Sequence, residues 1–367
     1  MPRPRRPGSG PRLIDLHDTP QPFTAGTDHR RATAPIESVE WTLEAPRRLG
    51  LRSRCLSALE AGWVRVRFAY CGVCGSDVSK FEGCRTVAYP MTLGHEFVGE
   101  VIAVGAGVDG LTPGDVVTSD LNYRCRTCDQ CRAQRSHLCR NAGVVRFTNR
   151  AFARFADIHS SYLVRVAAPP DLRLAFTEPL SCMLHAERWA APCAGERILV
   201  VGAGGLGLCI SFALCVASSS LPFEVIEPIA GRLARVGKAI RPIGSAVASP
   251  QGEYDVVFDV SGRPAGLRTA VEAVRSGGRV CSMSHLDGHE SSDFLLRALT
   301  RRDVAFKVSY LNGERANIER AAHLLTEHWD ERWTAAVEVV PFDEVPRTFA
   351  TRPTSPWCKT IVRVAGV

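Results

Sequence analysis

The sequence lacks any long uninterrupted run of apolar residues. None of its segments approaches the roughly 18 consecutive apolar residues of a membrane-spanning helix, although 45% of its 367 residues are hydrophobic. The first residues carry arginine charges and no apolar core, so they do not make a secretory signal. These absences exclude a membrane span and predict a globular, cytoplasmic protein with no membrane partner.

Lysine is scarce, and arginine supplies almost all of the positive charge. Lysine stands at four positions among 45 basic residues, and the formal net charge is +7. Residues 1–31 hold six arginines against three aspartates, a net of +3, which leaves +4 for the rest of the chain. A charge so dilute does not make the basic stripe that nucleic acids require. We therefore expect no nucleic-acid partner.

Cysteine, in contrast, is abundant, with 14 residues. Disulfides are typical of small secreted chains, so in this large chain metal ligation is the better account of the clustered cysteines. Four of them follow the spacing Cys-x2-Cys-x2-Cys-x7-Cys, and they are Cys125, Cys128, Cys131 and Cys139. Short turns between ligands can bring four thiolates to about 2.3 Å from one tetrahedral zinc ion. Four thiolates leave no position open for water or substrate, so this segment predicts a structural zinc.

The pattern of residues divides the chain into four parts. Residues 1–37 are rich in Pro, Arg, Gly and Thr without apolar periodicity, which predicts a disordered tail. Residues 38–170 contain short strands separated by glycines, with the zinc lobe at 120–142. Strands alternate with helices over residues 171–305, which is typical of a doubly wound parallel sheet. Residues 306–367 follow as strand, helix and strand.

A glycine-rich turn marks the first strand of the alternating part. Gly-Ala-Gly-Gly-Leu-Gly at 202–207 follows the apolar strand Ile-Leu-Val-Val and opens a helix. In dinucleotide-binding folds the first glycine permits a tight turn, the second admits the pyrophosphate, and the third allows close helix packing. The helix N-terminus then offers free N–H groups to the phosphates. The predicted cofactor-binding residues of the turn are Gly202, Gly204, Gly205, Leu206 and Gly207.

Two residues further along bear on the choice of dinucleotide. Glu227 ends the next strand, 20 residues after Gly207, where a carboxylate binds the ribose hydroxyls of NAD and repels a 2′-phosphate. Arg232 lies nearby and offers a charge that NADP would use, although an arginine on a surface helix needs no such role. The sequence therefore favours NAD over NADP.

Three residues upstream are candidate ligands of a second metal. Cys74 belongs to the segment Cys-Gly-Val-Cys-Gly-Ser-Asp at 71–77, while His95 and Glu96 belong to Gly-His-Glu at 94–96. Cysteine and histidine are good zinc donors, and adjacent His-Glu offers two groups from one turn. With the four-cysteine lobe, this predicts two zinc ions per subunit.

Together these motifs make the chain resemble the zinc-dependent medium-chain alcohol and polyol dehydrogenases, and the resemblance runs from about Ser38 to the C-terminus. The motifs that carry the resemblance are CGVCGSD at 71–77, GHEFVGEV at 94–101, the four-cysteine lobe, TEPL at 177–180 and VVGAGGLG at 200–207. The resemblance implies an α/β protein with a central Rossmann domain. It also implies a β-rich GroES-like catalytic domain built from both ends of the chain, and a homodimer or homotetramer.

The resemblance also implies roles for single residues. Cys74 and His95 would bind the catalytic zinc, Glu96 would ligate it in some states, and Glu178 would be an exchangeable ligand or a hydrogen-bond partner of its water. Zinc bound there would act as a Lewis acid towards the substrate alcohol. Asp77 would hold the second ring nitrogen of His95 and fix its tautomer.

Proton transfer is the step where the chain departs from the family pattern. Ser76 would touch the substrate oxygen and start a proton relay. Five residues after the ligand cysteine, many family members carry a histidine that completes the relay, and this chain has Ser79. A serine passes a proton through water but does not store one near pH 7.

The function implied is exchange of hydride between NAD and a secondary alcohol of a polyol, cyclitol, aminocyclitol or amino alcohol, giving a ketone. The short form Cys-Gly-Ser-Asp-x-Ser also occurs in dehydrogenases similar to the 2-deoxy-scyllo-inosamine type, from aminocyclitol antibiotic biosynthesis. Within the enzyme class, the alternatives are a threonine-dehydrogenase-like enzyme and an NADPH-linked ketone reductase. Outside it, the lobe would be a zinc module that binds a macromolecule without catalysis. The metal-ligand candidates count against a zinc-free reductase of quinones or enoyl thioesters.

Overall fold

The computed structural model describes residues 35–143, 150–216, 221–241, 243–250, 253–284 and 299–364. The tail predicted at residues 1–37 lies outside these ranges as far as residue 34, and the first strand begins at Ile36. Across the described ranges, no helix has both the length and the apolar composition needed to cross a membrane.

Short strands dominate the chain as far as residue 166. The elements of this part are, in chain order, β1 (Ile36–Ala45), β2 (Arg48–Leu56), β3 (Trp63–Gly72), α1 (Gly75–Glu82), β4 (Met91–Thr92), β5 (Glu96–Val104), β6 (Val116–Ser119), α2 (Asp129–Arg132), β7 (Phe155–His159) and β8 (Leu163–Val166). The strands β2, β1 and β4, in that order, make a small antiparallel sheet.

Strands and helices then alternate. The elements from residue 177 to residue 308 are α3 (Thr177–Ala190), β9 (Ile198–Val201), α4 (Gly205–Val216), β10 (Phe223–Ile226), α5 (Ala230–Ala239), β11 (Gly244–Val247), β12 (Tyr254–Asp259), α6 (Pro264–Ala273), β13 (Val274–Ser282) and β14 (Ala305–Val308). The last described elements are α7 (Arg315–His328), α8 (Glu331–Thr334), β15 (Val337–Pro341), α9 (Val345–Thr351) and β16 (Lys359–Arg363).

The alternating part folds into a six-stranded parallel sheet in the order β11-β10-β9-β12-β13-β14. This is the strand order of the doubly wound dinucleotide-binding fold, and it confirms the predicted fold class. All four residues of β9 are buried, as expected for a central strand covered on both faces. The predicted boundary after residue 305 falls at the start of β14. Since β14 pairs with β13, it lies within this sheet.

A second large sheet joins the two ends of the described chain. Its order is β15-β16-β3-β5-β6-β8, and β7 also pairs with β3. Because β16 runs antiparallel to β3, the C-terminal segment completes a sheet that the early strands begin. The rings of Phe68 and Phe97 meet edge to face inside it, with centroids 4.8 Å apart. This return of the chain agrees with the domain arrangement that the resemblance implies.

Candidate metal centres and dinucleotide site

Neighbouring strands bring the three candidate ligands of the second metal together. Cys74 lies two residues after the end of β3 and immediately before α1, and Glu96 opens β5 opposite Gly72 of β3. The Cys74 sulfur, a ring nitrogen of His95 and a carboxylate oxygen of Glu96 all lie within 4.8 Å of one another. Gly94 has a positive φ of 97°, and a β-carbon there would stand 2.9 Å from the backbone nitrogen of Phe152. The Gly-His-Glu turn therefore requires its glycine.

A buried carboxylate lies behind His95. Asp77 Oδ2 is 3.3 Å from His95 Nδ1, and Asp77 Oδ1 is 3.2 Å from Lys80 Nζ. Burial by itself would raise the pKa of Asp77, but the charges of His95 and Lys80 lower that pKa below its ordinary value. Asp77 is thus an anion held between two nitrogen groups, in a position to orient the imidazole.

Glu96 has a partner that sequence analysis missed. Its carboxylate forms an ion pair with the ammonium group of Lys359, and the two side chains are 1% and 3% exposed. Lys359 opens β16 and also touches the start of α4, because a β-carbon at Gly205 would stand 3.2 Å from Lys359 Nζ. One lysine therefore contacts both the metal-ligand group and the glycine turn. Nothing local in the sequence marks it, since the pair spans 263 residues.

The remaining predicted catalytic residues lie around this group. Glu178, in the first turn of α3, is buried and lies outside the group of three ligands. Burial raises the pKa of Glu178 to about 7, and the Cys182 thiol donates a hydrogen bond to its Oε1 at 3.3 Å. The Ser76 hydroxyl donates to the Cys74 sulfur at 3.4 Å.

The four lobe cysteines converge on one point. Their sulfur atoms all lie within 4.8 Å of one another, and Cys125 Sγ is 3.9 Å from Cys131 Sγ. Four sulfurs at 2.3 Å from a tetrahedral zinc would be about 3.8 Å apart. The backbone N–H of Cys128 donates to Cys125 Sγ at 3.3 Å, and hydrogen bonds from Thr127 lower the pKa of Cys125 to about 5. The donor set and its spacing therefore fit zinc, and the Cys, His and Glu donors upstream fit a second ion.

The glycine turn has the shape that a dinucleotide requires. Gly202 has a φ of 107°, and its β-carbon would stand 2.9 Å from the α-carbon of Ser261. A β-carbon at Gly207 would stand 2.0 Å from the carbonyl oxygen of Gly202, whereas one at Gly204 would meet no described atom within 4 Å. The side chain of Leu206 packs against the core, so its contribution to the turn is its backbone. The turn is thus tight on the protein side and open where phosphates would approach.

The two residues that bear on cofactor choice differ in their surroundings. Glu227 is buried beside the turn, where its carboxylate accepts hydrogen bonds from the backbone N–H groups of Ala203 at 2.8 Å and Ile229 at 3.0 Å. Arg232 is half-buried rather than a free surface residue. Its guanidinium donates to the carbonyl oxygens of Ser355 at 2.8 Å and Arg352 at 3.0 Å, because the returning chain covers α5 at this point.

Known proteins are similar to this chain in sequence and in fold. Residues 60–168 match the alcohol dehydrogenase GroES-like domain. The chain is 34% identical over 232 residues to L-threonine 3-dehydrogenase of Saccharopolyspora erythraea, which is 58% of this chain and 66% of that protein, just under two thirds of its length. It is 30% identical over 282 residues to sorbitol dehydrogenase of Halalkalibacterium halodurans, 72% of this chain and 80% of that protein. The structure superposes on alcohol dehydrogenase TADH of Thermus sp. ATN1 with a TM-score of 0.75 and 25% identity, covering 89% of this chain and all of that one.

The structure combines a dinucleotide-binding sheet with a GroES-like domain that carries grouped candidate metal ligands. This combination is typical of one class of dehydrogenases. The match to sorbitol dehydrogenase shows the family, because it is 30% identical and spans more than two thirds of that protein. The chain belongs to the zinc-dependent medium-chain alcohol and polyol dehydrogenases. It is therefore an oxidoreductase that acts on a CH–OH group with a nicotinamide dinucleotide.

Proposed function

We propose that the protein oxidises a secondary alcohol to a ketone with NAD, or catalyses the reverse reduction. The observation that carries this proposal is the double contact of Lys359, with Glu96 of the metal-ligand group and with the first residue of α4. Because the side chain of one buried lysine lies against both, its position supports the proposal that the metal group and the dinucleotide turn are parts of one site. A hydride donor and a hydride acceptor would therefore be bound side by side.

The residues of the site divide the chemistry between them. Zinc held by Cys74 and His95, with Glu96 or Glu178 as a further ligand, would supply Lewis acidity towards the substrate oxygen. Asp77 orients His95 through its contact with Nδ1. Ser76 would accept a hydrogen bond from the substrate hydroxyl and pass its own proton to water as the substrate proton arrives, and a bound nicotinamide would supply the acceptor for the hydride of the alcohol carbon.

Two observations support NAD as the cofactor and two zinc ions per subunit. Glu227 places a buried carboxylate at the end of β10, where it would accept hydrogen bonds from ribose hydroxyls and repel a 2′-phosphate. The guanidinium of Arg232 is engaged with backbone carbonyl oxygens, which leaves it poorly placed to bind that phosphate. Two separate groups of donor side chains support the proposal of two zinc ions.

The substrate class rests on the relatives. Threonine and sorbitol dehydrogenases are named for substrates with secondary hydroxyl groups, which supports a polyol, cyclitol, aminocyclitol or amino alcohol for this chain. The short Cys-Gly-Ser-Asp-x-Ser match makes aminocyclitol antibiotic biosynthesis the pathway we propose to test first.

An exposed sheet edge supports self-association as a homodimer. Within the described ranges β14 pairs with β13 on one side and with no strand on the other. At this edge Val308 and Tyr310 are 59% and 51% exposed. Two copies that pair these edges would bury the apolar side chains and satisfy the free backbone groups. Sedimentation velocity should show a dimer that Val308→Lys weakens, while Leu51→Lys, at an exposed position on β2, leaves it unchanged.

The deciding assay measures the reduction of NAD⁺ by the zinc-replete protein, through the absorbance at 340 nm. The panel contains polyols, inositols, aminocyclitols and threonine, each repeated with NADP⁺. Turnover of one class with NAD⁺, abolished in Cys74→Ser with NADH binding retained, is the expected result. Failure of the wild-type protein to bind either dinucleotide would overturn the proposal.

A further inference from the structure

Buried amide and carboxylate groups join the zinc lobe to the chain that follows β14. Asp120 and Asn122 stand at the start of the lobe, and Asn312 lies between β14 and α7; all three are buried. The Asn122 amide donates to Asn312 Oδ1, and the Asn312 amide donates to Asp120 Oδ1 at 3.1 Å. Each side chain therefore fixes the others across 190 residues of sequence.

The next residue is held as well. The Gly313 carbonyl oxygen accepts from the His137 backbone N–H at 3.1 Å and from the Ser136 hydroxyl at 3.3 Å, and His137 Nδ1 lies 3.0 Å from it. Ser136 and His137 belong to the stretch between the third and fourth lobe cysteines. We call these contacts, together with those of Asp120, Asn122 and Asn312, the lobe clasp.

The clasped backbone is in an unusual conformation. Leu311 has a φ of 53° and Gly313 a φ of 69°. The left-handed region is disfavoured for a leucine, so surrounding contacts must hold it. A β-carbon at Gly313 would stand 2.5 Å from His185 Nδ1, which shows how closely this turn is packed. The lobe contacts hold the turn at 311–313 together with Asn317, whose side-chain amide donates to the Asn312 carbonyl oxygen at 2.7 Å.

The clasped segment begins at the ligand-binding edge of the parallel sheet. Ser309 follows the carboxyl end of β14, and its N–H donates to the Ser282 carbonyl oxygen at 2.9 Å. Ser282 in turn donates to Asp259 Oδ2, at the end of β12, at 2.8 Å. In this fold the half-sheet with Glu227 binds the adenosine part of the dinucleotide, so β12 to β14 face the nicotinamide half.

We propose that the zinc lobe, through the lobe clasp, positions the segment 309–313 and so determines how tightly the nicotinamide half of the dinucleotide binds. Asn122 and His137 are positioning residues in this scheme, because Asn122 acts through the side chain of Asn312 and His137 acts through the carbonyl oxygen of Gly313. By linkage, the bound nicotinamide half stabilises the lobe to the same extent. The inference rests on the proposed dinucleotide function.

The test compares NADH with ADP-ribose, which lacks the nicotinamide, in Asn122→Ala. We expect NADH binding, measured by its fluorescence, to weaken about tenfold, while ADP-ribose binding, measured calorimetrically, and zinc content stay unchanged. Arg140→Ala is the matched control, because it breaks only the exposed lobe pair with Asp129 and should bind both ligands as the wild type does. His137→Phe, which keeps its backbone bond to Gly313, should show the same selective loss in a milder form.

A second measurement needs no variant. In the wild-type protein, NADH should slow amide hydrogen exchange in residues 120–139, and ADP-ribose should not. The inference is overturned if Asn122→Ala binds NADH normally, if it loses both ligands equally, or if the two ligands protect the lobe equally. Absence of any dinucleotide binding by the wild type would instead refute the proposed function.

Discussion

Replacing Lys359 with methionine would leave the carboxylate of Glu96 buried without its cation. The ammonium group of Lys359 is an ion-pair partner of Glu96, and both side chains are almost wholly excluded from water. Methionine has a similar length and fills the same space, so the change removes the charge and little else. The perturbation therefore measures what the loss of the lysine charge costs this buried carboxylate.

The expected loss is large because the pair is buried. Removing one partner of a buried ion pair costs about 3–5 kcal/mol, since the other charge stays desolvated. With an unfolding entropy of about 2.1 cal/mol/K per residue, each kcal/mol lowers the melting temperature of a 367-residue chain by about 1.3 °C, so Lys359→Met should melt roughly 4–7 °C lower. The double variant Lys359→Met, Glu96→Gln carries neither charge and should recover most of this loss.

Differential scanning calorimetry of the zinc-replete proteins at one scan rate would measure the four members of this cycle. NADH titration of the same samples should show weaker binding in Lys359→Met, because the lysine also touches Gly205 at the start of α4. A melting temperature within about 2 °C of the wild type would refute the reasoning. So would a double variant whose loss equals the sum of the two single losses, since uncoupled changes add.

Gly207→Ala would place a methyl group 2.0 Å from the Gly202 carbonyl oxygen, so NADH titration should show binding at least about tenfold weaker than in the wild type. Gly204→Ala is the control and should weaken binding less. Equal NADH affinities of Gly207→Ala and the wild type would contradict this account of the packing. Cys131→Ser should lower the melting temperature and release one zinc ion, because a structural metal contributes folding free energy; an unchanged zinc content would contradict the lobe site. Burial lowers the pKa of His185 to about 4, against about 6.5 in an unfolded chain. As the pH falls, the unfolded chain is therefore protonated at this histidine before the folded protein is. The contribution of neutral His185 to folding stability is complete above pH 6.5 and is lost as the pH falls towards 4. Melting curves of His185→Phe should depend less on pH over this range, and an unchanged dependence would exclude this histidine as a cause.

Contiguous motifs could be interpreted from the sequence because their geometry is local. Two intervening residues bring Cys125 and Cys128 together, and the spacing of Gly202, Gly204 and Gly207 is imposed by one turn. The parallel sheet was equally accessible, since strands such as β9 are apolar throughout and alternate with helices. The site roles assigned to Cys74, His95 and Glu178 stay predictions that rest on the family pattern.

Long-range partners could not be predicted. Lys359 and Glu96 are 263 residues apart, and Asn122 and Asn312 are 190 apart, so neither pair leaves a local pattern. Arg232 has the spacing of a surface helix residue, and only the returning chain at 352–355 explains its burial. In each case the surroundings of a side chain are formed by a segment far away in the sequence, and the neighbouring residues do not indicate which segment that is.

The position of β16 also has a consequence for the order in which the protein is built. When synthesis reaches residue 207, the chain already contains the glycine turn, the lobe cysteines and the candidate metal ligands. The strand that pairs with Tyr70–Gly72 of β3 begins only at Lys359. A growing chain can close its parallel sheet while the carboxylate of Glu96 still lacks its cation. The buried ion pair of Glu96 would therefore form only after Lys359 has been added, and a chain truncated before residue 359 would have its dinucleotide turn without the cation that pairs with Glu96.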